Sequence, residues 1–316
     1  MITDCHVIHS SLLAMTNTTG ATNRSFAPIS ANLPPKTSSS QPNHMTTYPE
    51  KKFAARTIEV NYAEGPDNGP PLVLIHGIGG RWDNWSAVID DFAKDWHVFA
   101  VDLRGHGDSG RTPNKYRFID YPIEIVEFLR NVVGEPAFLV GHSLGAVTAA
   151  GVSAVTPDLV AAAVLEDPPL YVEKTSQFLT IYEIRMKNLS VADTAIELRK
   201  INTSLSNEAI AKLAITVTKV DPEAWAFPGD GQIAESWNPD AVLAEITLPV
   251  LLMQASPNMG AALSDSEATR ADDLLTNGRY VKWNDVGHGM HDAQPERFVQ
   301  LVNAFFVQIL RKLAKA

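Results

Sequence analysis

The chain has 316 residues, 45% of them hydrophobic and 20% charged, close to an average globular composition, so it can bury a sizeable core and is no disulfide-stapled miniprotein. With 26 Lys and Arg against 36 Asp and Glu, a formal charge of −10 and no basic run, nucleic acid is not an expected partner. Cys5 is the only cysteine, which excludes an internal disulfide and a cysteine zinc cluster.

Residues 1–47 form a polar leader that differs from the rest of the chain. They contain 19 Ser, Thr or Asn residues and three charged ones. Such a segment buries too little surface to offset its ordering entropy, so we expect it to be disordered. It has neither the basic start nor the apolar stretch of a secretory signal. Since no segment reaches the roughly 18 apolar residues that span a bilayer, we expect a cytoplasmic protein without a membrane partner.

From Phe53 onward, short apolar segments alternate with amphipathic segments of helical length. The predicted buried strands are Pro71–His76, Val98–Val101, Ala137–Val140, Ala161–Leu165 and Val250–Met253. The predicted helices between them are Asp83–Lys94, Asp120–Val133 and Leu144–Val155. An antiparallel edge hairpin is expected at Arg56–Tyr62, through a turn at Gly65–Pro71. This alternation predicts the α/β class, a mostly parallel sheet with helices on both faces.

The alternation stops between Pro168 and about Ile246. The pattern there predicts the helices Ser176–Lys187, Ser190–Lys200 and Ser206–Val217. An irregular stretch follows, which contains Trp225, Phe227, Pro228, Gly229 and Trp237. Because an insertion of this length in a sheet protein is usually a lid, we predict a core of residues 48–168 and 246–316 and an inserted helical cap of residues 169–245. The core is predicted to end with a helix at Ser264–Leu275, a strand at Arg279–Trp283 and a helix at Pro295–Leu313.

The segment Gly141-His142-Ser143-Leu144-Gly145 joins a predicted strand directly to a predicted helix. A nucleophile elbow needs this setting, because a strained turn lifts the serine hydroxyl above the sheet edge while the flanking glycines relieve crowding. We therefore predict Ser143 as a nucleophile. The alternative is a tight turn with a passive serine.

A second glycine-rich segment, His76-Gly77-Ile78-Gly79-Gly80, follows an earlier strand and is expected to lie beside the elbow. Backbone N–H groups at such a place stabilise the oxyanion that forms when a serine attacks a carbonyl. We assign this role to the N–H groups of Ile78 and Leu144, and we expect Gly77 and Gly79 to lie close to the substrate. The alternative is a merely flexible loop.

The candidate general base is His288, in the segment Gly287-His288-Gly289 before the last helix. A histidine on this loop can take the serine proton and return it to a leaving group. His291 is the competitor, with a cap of the final helix as its alternative role.

These motifs, in this order, make residues 50–316 resemble the α/β-hydrolase superfamily. The resemblance also includes Asp102–Ser109, which is similar to a mainly structural turn in family members. It implies a hydrolase with a catalytic triad. Dehalogenases and epoxide hydrolases of the family have aspartate where Ser143 stands, so those reactions are disfavoured, and a serine nucleophile needs an acyl carbon.

The sequence departs from the family at the acid of the triad. Members usually place an aspartate just after the strand that matches Val250–Met253, but neither Ser256 nor Asn258 is a carboxylate. Glu166 and Asp167 end the preceding strand, where some haloalkane dehalogenases and the zearalenone lactonases place their acid. By similarity to the Glu-x-Pro of those lactonases, Glu166 is the first choice. Asp167, expected on the opposite face of the strand, is the alternative, and a purely structural role for both stays open.

We expect a serine hydrolase that cleaves a small-molecule carboxylic ester or lactone through an acyl-enzyme, without metal or organic cofactor. The aromatic residues of the cap suggest a medium-sized apolar or aromatic acyl or alcohol group. Gly77, Gly79, Trp225 and Trp237 are the candidate substrate-binding residues, although buried core tryptophans would look the same in sequence. The alternatives are a carbon–carbon bond hydrolase, a cofactor-free perhydrolase, and a binding protein of the same fold that has lost efficient catalysis. The oligomeric state stays open.

Overall fold

Eight strands form one sheet in the described part of the chain, which is residues 48–172 and 177–315 of a computed structural model. The predicted leader, residues 1–47, lies outside the described residues. The strands are β1 Glu50–Ala54, β2 Glu59–Glu64, β3 Pro71–Ile75, β4 His97–Val101, β5 Ala137–His142, β6 Val160–Glu166, β7 Val250–Gln254 and β8 Gly278–Lys282. Their order across the sheet is β1-β2-β4-β3-β5-β6-β7-β8. The pairs β1–β2 and β2–β4 are antiparallel, and the strands from β3 to β8 are parallel.

Helices connect the parallel strands and also fill the long segment between β6 and β7. The α-helices are α1 Ile89–Phe92, α2 Pro122–Phe128, α3 Leu144–Val155, α4 Gln177–Met186, α5 Val191–Ile201, α6 Asn207–Lys219, α7 Pro222–Asp230, α8 Pro239–Glu245, α9 Asp265–Leu274, α10 Met290–Ala293 and α11 Pro295–Leu313. Short 3-10 helices occur at Trp82–Ala87, Pro157–Leu159, Gln232–Ala234 and Pro257–Met259, and a π-helix at Leu129–Val133. No helix in the described residues is both long and apolar enough to cross a bilayer.

The central strands are buried on both faces because nearly every residue in them is apolar. In β3, Val73 and Ile75 pack into the hydrophobic core on one face of the sheet, while Leu72 and Leu74 pack into the core on the other. The predicted fold class is confirmed. Since the carboxyl ends of parallel strands share one edge of the sheet, the segments that follow β3, β5, β6 and β8 meet there.

The predicted edge hairpin is wrong in its pairing. Strand β2 pairs with β1 on one side and β4 on the other, so it is not a neighbour of β3, the strand that follows it along the chain. The residues of the turn predict a change of chain direction after β2. They do not determine which strand pairs with β2, because that depends on the order of the parallel strands in the sheet.

The prediction of an irregular stretch around Trp225 and Phe227 is also wrong, because these residues lie in a helix. Helix α7 begins after Asp221, whose carboxylate accepts the N–H of Glu223, and it ends at Gly231, where φ is +90°. Pro228 lies inside the helix and removes one backbone donor there. Burial of the two aromatic side chains outweighs this local cost.

Candidate active site

Ser143 lies at the bend between β5 and α3, with φ of +54° and ψ of −118°. A positive φ is strained for a residue with a side chain. The bend needs glycine on both sides: a Cβ at Gly141 would lie 2.2 Å from the carbonyl oxygen of Gly145, and a Cβ at Gly145 would lie 2.0 Å from that of Ile75. The Ser143 N–H donates to the carbonyl oxygen of Glu166 at 2.9 Å. The elbow geometry expected from the sequence is therefore present.

The loop after β3 lies directly against this bend. A Cβ at Gly77 would lie 2.9 Å from His142 Nδ1 and 3.0 Å from Ser143 Cβ, so only glycine allows the approach. Neither the Ile78 N–H nor the Leu144 N–H donates a hydrogen bond to another described residue. An oxyanion site requires backbone N–H groups that are free of other partners and point toward one oxygen position, so these two remain the candidate donors.

His76 fixes the path of that loop through both ring nitrogens. Nδ1–H donates to the carbonyl oxygen of Gly77 at 2.7 Å, and Nε2 accepts the N–H of Leu103 at 3.0 Å. Burial lowers the pKa of His76 to about 4, so the ring is neutral, as one donor and one acceptor nitrogen require. Its role is structural.

Asp167, and not Glu166, contacts the predicted base. Asp167 Oδ2 lies 2.7 Å from His288 Nδ1. The same carboxylate accepts the N–H of Ala262 at 2.7 Å and the N–H of Ala255 at 3.2 Å, and it is fully buried. The segment after β7 therefore supplies no carboxylate itself. It supplies two backbone N–H groups, which hold the carboxylate that follows β6.

The first choice for the acid, Glu166, is wrong as a partner of His288. Glu166 is the last residue of β6, and its carboxylate binds His291 on the face of the sheet covered by α11. Asp167 follows with φ of +43°, which turns its side chain toward the loop after β7. Asp167 lies just beyond β6, so its left-handed backbone, and not a continued strand alternation, brings its carboxylate to His288.

His288 presents its other ring nitrogen, Nε2, away from Asp167, and its side chain is 36% exposed. The described hydrogen bonds include none between the Ser143 hydroxyl and the His288 ring. Catalytic hydrogen bonds are often long without substrate and tighten when it binds. The His142 ring lies 4.7 Å from the His288 ring: its Nε2–H donates to the His288 carbonyl oxygen at 3.2 Å, and burial lowers the pKa of His142 to about 3.

The two tryptophans predicted at the substrate occupy different places. The ring of Trp225 lies over Gly79, whose hypothetical Cβ would be 2.1 Å from Trp225 Cη2, and it stacks on Phe178 at 5.9 Å. Trp237 does not lie at the predicted substrate position. Its indole N–H donates to the Leu170 carbonyl oxygen, and its ring reaches Gly151, two turns along α3 from the serine. Only Trp225 is therefore beside the oxyanion loop.

An open groove of about 370 Å³ lies next to Trp237, lined also by Tyr171 and Arg270. Arg270 bonds to Asp240, and its guanidinium lies 5.0 Å from the centre of the Tyr171 ring. The groove contains none of the residues of the elbow. No group of three or more His, Cys, Asp or Glu side chains in the described residues is arranged to hold a metal ion.

Comparisons with known proteins agree with the fold described above. A model of the alpha/beta hydrolase family matches residues 72–301. The (E)-2-((N-methylformamido)methylene)succinate hydrolase of Acinetobacter baylyi is 41% identical over 95 residues, which cover 29% of this chain and 35% of that protein. The match therefore spans about a third of that relative.

Two further proteins are similar over longer segments. The 2-(acetamidomethylene)succinate hydrolase of Mesorhizobium japonicum is 26% identical over 222 residues, which cover 65% of this chain and 78% of that protein. The solved structure of the enol-lactonase from Burkholderia xenovorans LB400 matches with a TM-score of 0.67 and 16% identity, over 81% of this chain and all of that one. The structural likeness shows the fold alone.

Proposed function

Because this chain belongs to the alpha/beta hydrolase family, we propose that it is a serine hydrolase that cleaves a carboxylic ester or lactone through an acyl-enzyme intermediate. The observation that carries the proposal is the contact of 2.7 Å between Asp167 Oδ2 and His288 Nδ1. This contact supports a tautomer in which Nδ1–H donates to the carboxylate and Nε2 is the acceptor nitrogen. Ser143, on a strained bend at the same sheet edge, is the nucleophile that this base serves.

In the first half of the reaction, His288 Nε2 takes the proton of the Ser143 hydroxyl as Oγ attacks the carbonyl carbon. The carbonyl oxygen becomes an oxyanion and accepts the N–H groups of Ile78 and Leu144. The tetrahedral intermediate collapses when His288 gives the proton to the leaving alkoxide. For a lactone, the released hydroxyl stays attached to the acyl group.

In the second half, His288 Nε2 takes a proton from water, whose oxygen attacks the acyl carbon and forms a second tetrahedral intermediate. This intermediate collapses when His288 returns the proton to Ser143 Oγ, which breaks the bond to the acyl carbon and releases the carboxylic acid. Asp167 orients the ring throughout and stabilises the imidazolium that forms in each half. The amides of Ala255 and Ala262 hold this carboxylate in place, so the ring keeps one orientation in both halves.

The cap supplies a wall for the acyl group in this proposal. Trp225 lies against Gly79, next to the oxyanion donor Ile78, so the indole ring would form a wall beside the bound acyl group. Phe178 supports the indole from behind. An apolar wall this close favours a short or flat acyl group.

A second candidate is hydrolysis of an amide. The names of the two similar hydrolases include an N-methylformamido and an acetamido group. Ser143 and His288 could act on an amide carbon in the same way, with the proton passed to nitrogen. By contrast, the alternative of a catalytically weak binding protein depended on a missing acid, and Asp167 removes that reason.

The test begins with a fluorophosphonate probe on the folded wild-type protein, with Ser143→Ala as the control. We expect one covalent adduct on Ser143 and none on the variant. A panel of p-nitrophenyl esters, lactones and anilides then separates the candidates by kcat/KM. A folded wild-type protein that does not react with the probe would overturn the proposal, and turnover limited to anilides would favour the amide.

A further inference from the structure

A second histidine–carboxylate pair lies beside the candidate triad and has no part in the mechanism above. His291 Nδ1 lies 2.9 Å and 2.8 Å from the two carboxylate oxygens of Glu166, and the His291 backbone N–H donates to Glu166 Oε1 at 2.9 Å. The two side chains are 2% and 0% exposed. The Trp85 ring packs on the imidazole at a centroid distance of 4.4 Å. The pair is therefore sealed from solvent.

Both members of the pair favour their charged forms. Burial raises the pKa of Glu166, but the charge of His291 and the hydrogen bonds from His291 outweigh it and hold that pKa below its usual value. Burial likewise lowers the pKa of His291, but the charge and hydrogen bond of Glu166 raise it above its usual value. Taking two charges out of water is costly, and apolar residues of similar size often stabilise a fold equally well. Stability alone is thus a weak reason for an ion pair here.

The contacts of the pair extend to both reacting groups. The Glu166 carbonyl oxygen accepts the Ser143 N–H, and the next residue along the chain is Asp167, which holds the His288 ring. His291 lies three residues after His288, in the first turn of α10. One ion pair therefore ties the end of β6, which anchors the serine, to the segment that presents the histidine.

The His142 ring lies close to both the His288 ring and the His291 ring. It lies 4.7 Å from the His288 ring and 5.0 Å from the His291 ring, and it donates to the His288 carbonyl oxygen. A shift of His291 would therefore be transmitted to His288 through the chain and through His142.

We propose that Glu166 and His291 are positioning residues, which set the distance between the Ser143 hydroxyl and the His288 ring. This inference rests on the proposed serine hydrolase function. Reacting atoms must come within about 3–3.5 Å, and a misplacement of about 1 Å can cost about 10²-fold in rate. Because the pair does not face the substrate, its loss should lower kcat and the rate of acylation, and leave KM nearly unchanged.

The test compares Glu166→Gln with Glu124→Gln. Glu124 forms an equally buried ion pair with Arg104, at 3% and 2% exposure, away from Ser143 and His288. The readouts are the rate of fluorophosphonate labelling per folded molecule, and kcat and KM for p-nitrophenyl acetate. We expect Glu166→Gln to lose about 10- to 100-fold in kcat and in labelling rate, with KM within about threefold of wild type. Glu124→Gln should keep the wild-type labelling rate.

A double variant, Glu166→Met with His291→Phe, replaces the ion pair by apolar side chains and keeps the test decisive if the single variant does not fold. The inference predicts a folded double variant that labels slowly. Labelling at the wild-type rate in either variant would overturn it. If the wild-type protein itself does not label, the proposed function fails first; if it labels and the variants label equally fast, only the positioning role is refuted.

Discussion

Asp167→Asn is the substitution that best tests the candidate triad. The carboxylate accepts three N–H groups: His288 and Ala262 on Oδ2, both at 2.7 Å, and Ala255 on Oδ1 at 3.2 Å. An amide has one acceptor oxygen and one donor nitrogen. In either orientation, one backbone N–H must therefore face an N–H₂ group.

The distances favour the orientation that leaves the Ala255 bond unmade, because that bond is the longest of the three. The amide oxygen then still accepts His288 Nδ1–H, so the correct tautomer is kept, but the negative charge that stabilises the imidazolium is lost. In the serine protease template, an amide that also imposes the wrong tautomer costs about 10⁴-fold. We therefore expect a smaller loss of about 10³-fold in kcat/KM for Asp167→Asn, which is about 4 kcal/mol.

The assay is kcat/KM for p-nitrophenyl acetate, with circular dichroism and urea unfolding to establish the folded fraction. Asp102→Asn is the matched control: its buried carboxylate accepts the N–H groups of Trp82 and Asp108 and the side-chain amide of Asn61, and it does not touch His288. The control should lose stability, and its rate of fluorophosphonate labelling at Ser143 per folded molecule should stay at the wild-type value. Retention of activity within about fivefold in a folded Asp167→Asn protein would refute the reasoning.

Three other predictions follow from the loop, the cap and the buried histidines. Gly79→Ala should lower kcat/KM by at least about tenfold, since the new Cβ meets Trp225 and φ is +73° there; a fully active variant would exclude a close role for the loop. Trp225→Ala should raise kcat/KM for esters with bulky acyl groups by about tenfold relative to acetate, with Trp225→Phe between the two, and an unchanged ratio would remove Trp225 from the acyl site. Burial lowers the pKa values of His76, His106 and His142 to about 4, 3 and 3, from 6.5, so each contributes stability above pH 6.5 that is lost as pH falls toward the folded-state value. The free energy of unfolding in urea should thus decrease from pH 6.5 to 4, by up to about 1.4 kcal/mol per pH unit for each histidine, and a flat profile would contradict their neutral state.

Features that depend on a few neighbouring residues could be predicted from the sequence. The elbow at Ser143 and the loop at Gly77 follow from glycines placed directly after apolar strands, because a crowded bend beside a strand excludes a Cβ. Helices α3 and α11 begin and end as predicted, because α11 has a long apolar periodicity and α3 is an apolar segment that follows the elbow directly.

The acid could not be chosen in the same way. Glu166 and Asp167 are adjacent, and the positive φ of Asp167, together with the position of the loop after β7, decides which carboxylate reaches His288. The amides of Ala255 and Ala262 leave no mark in the sequence, because any residue except proline has the same backbone donor. Tertiary placement, rather than residue type, therefore decides the identity of the triad.

The loop after β7 contributes main-chain atoms to the acid, and this has a consequence for protein engineering. Side chains at its exposed tip, such as Asn258 and Met259, can be exchanged without altering the donors at Ala255 and Ala262. Proline at either donor position would instead delete a hydrogen bond to Asp167. The exposed tip of this loop is thus suited to randomised libraries that leave the backbone donors to Asp167 intact.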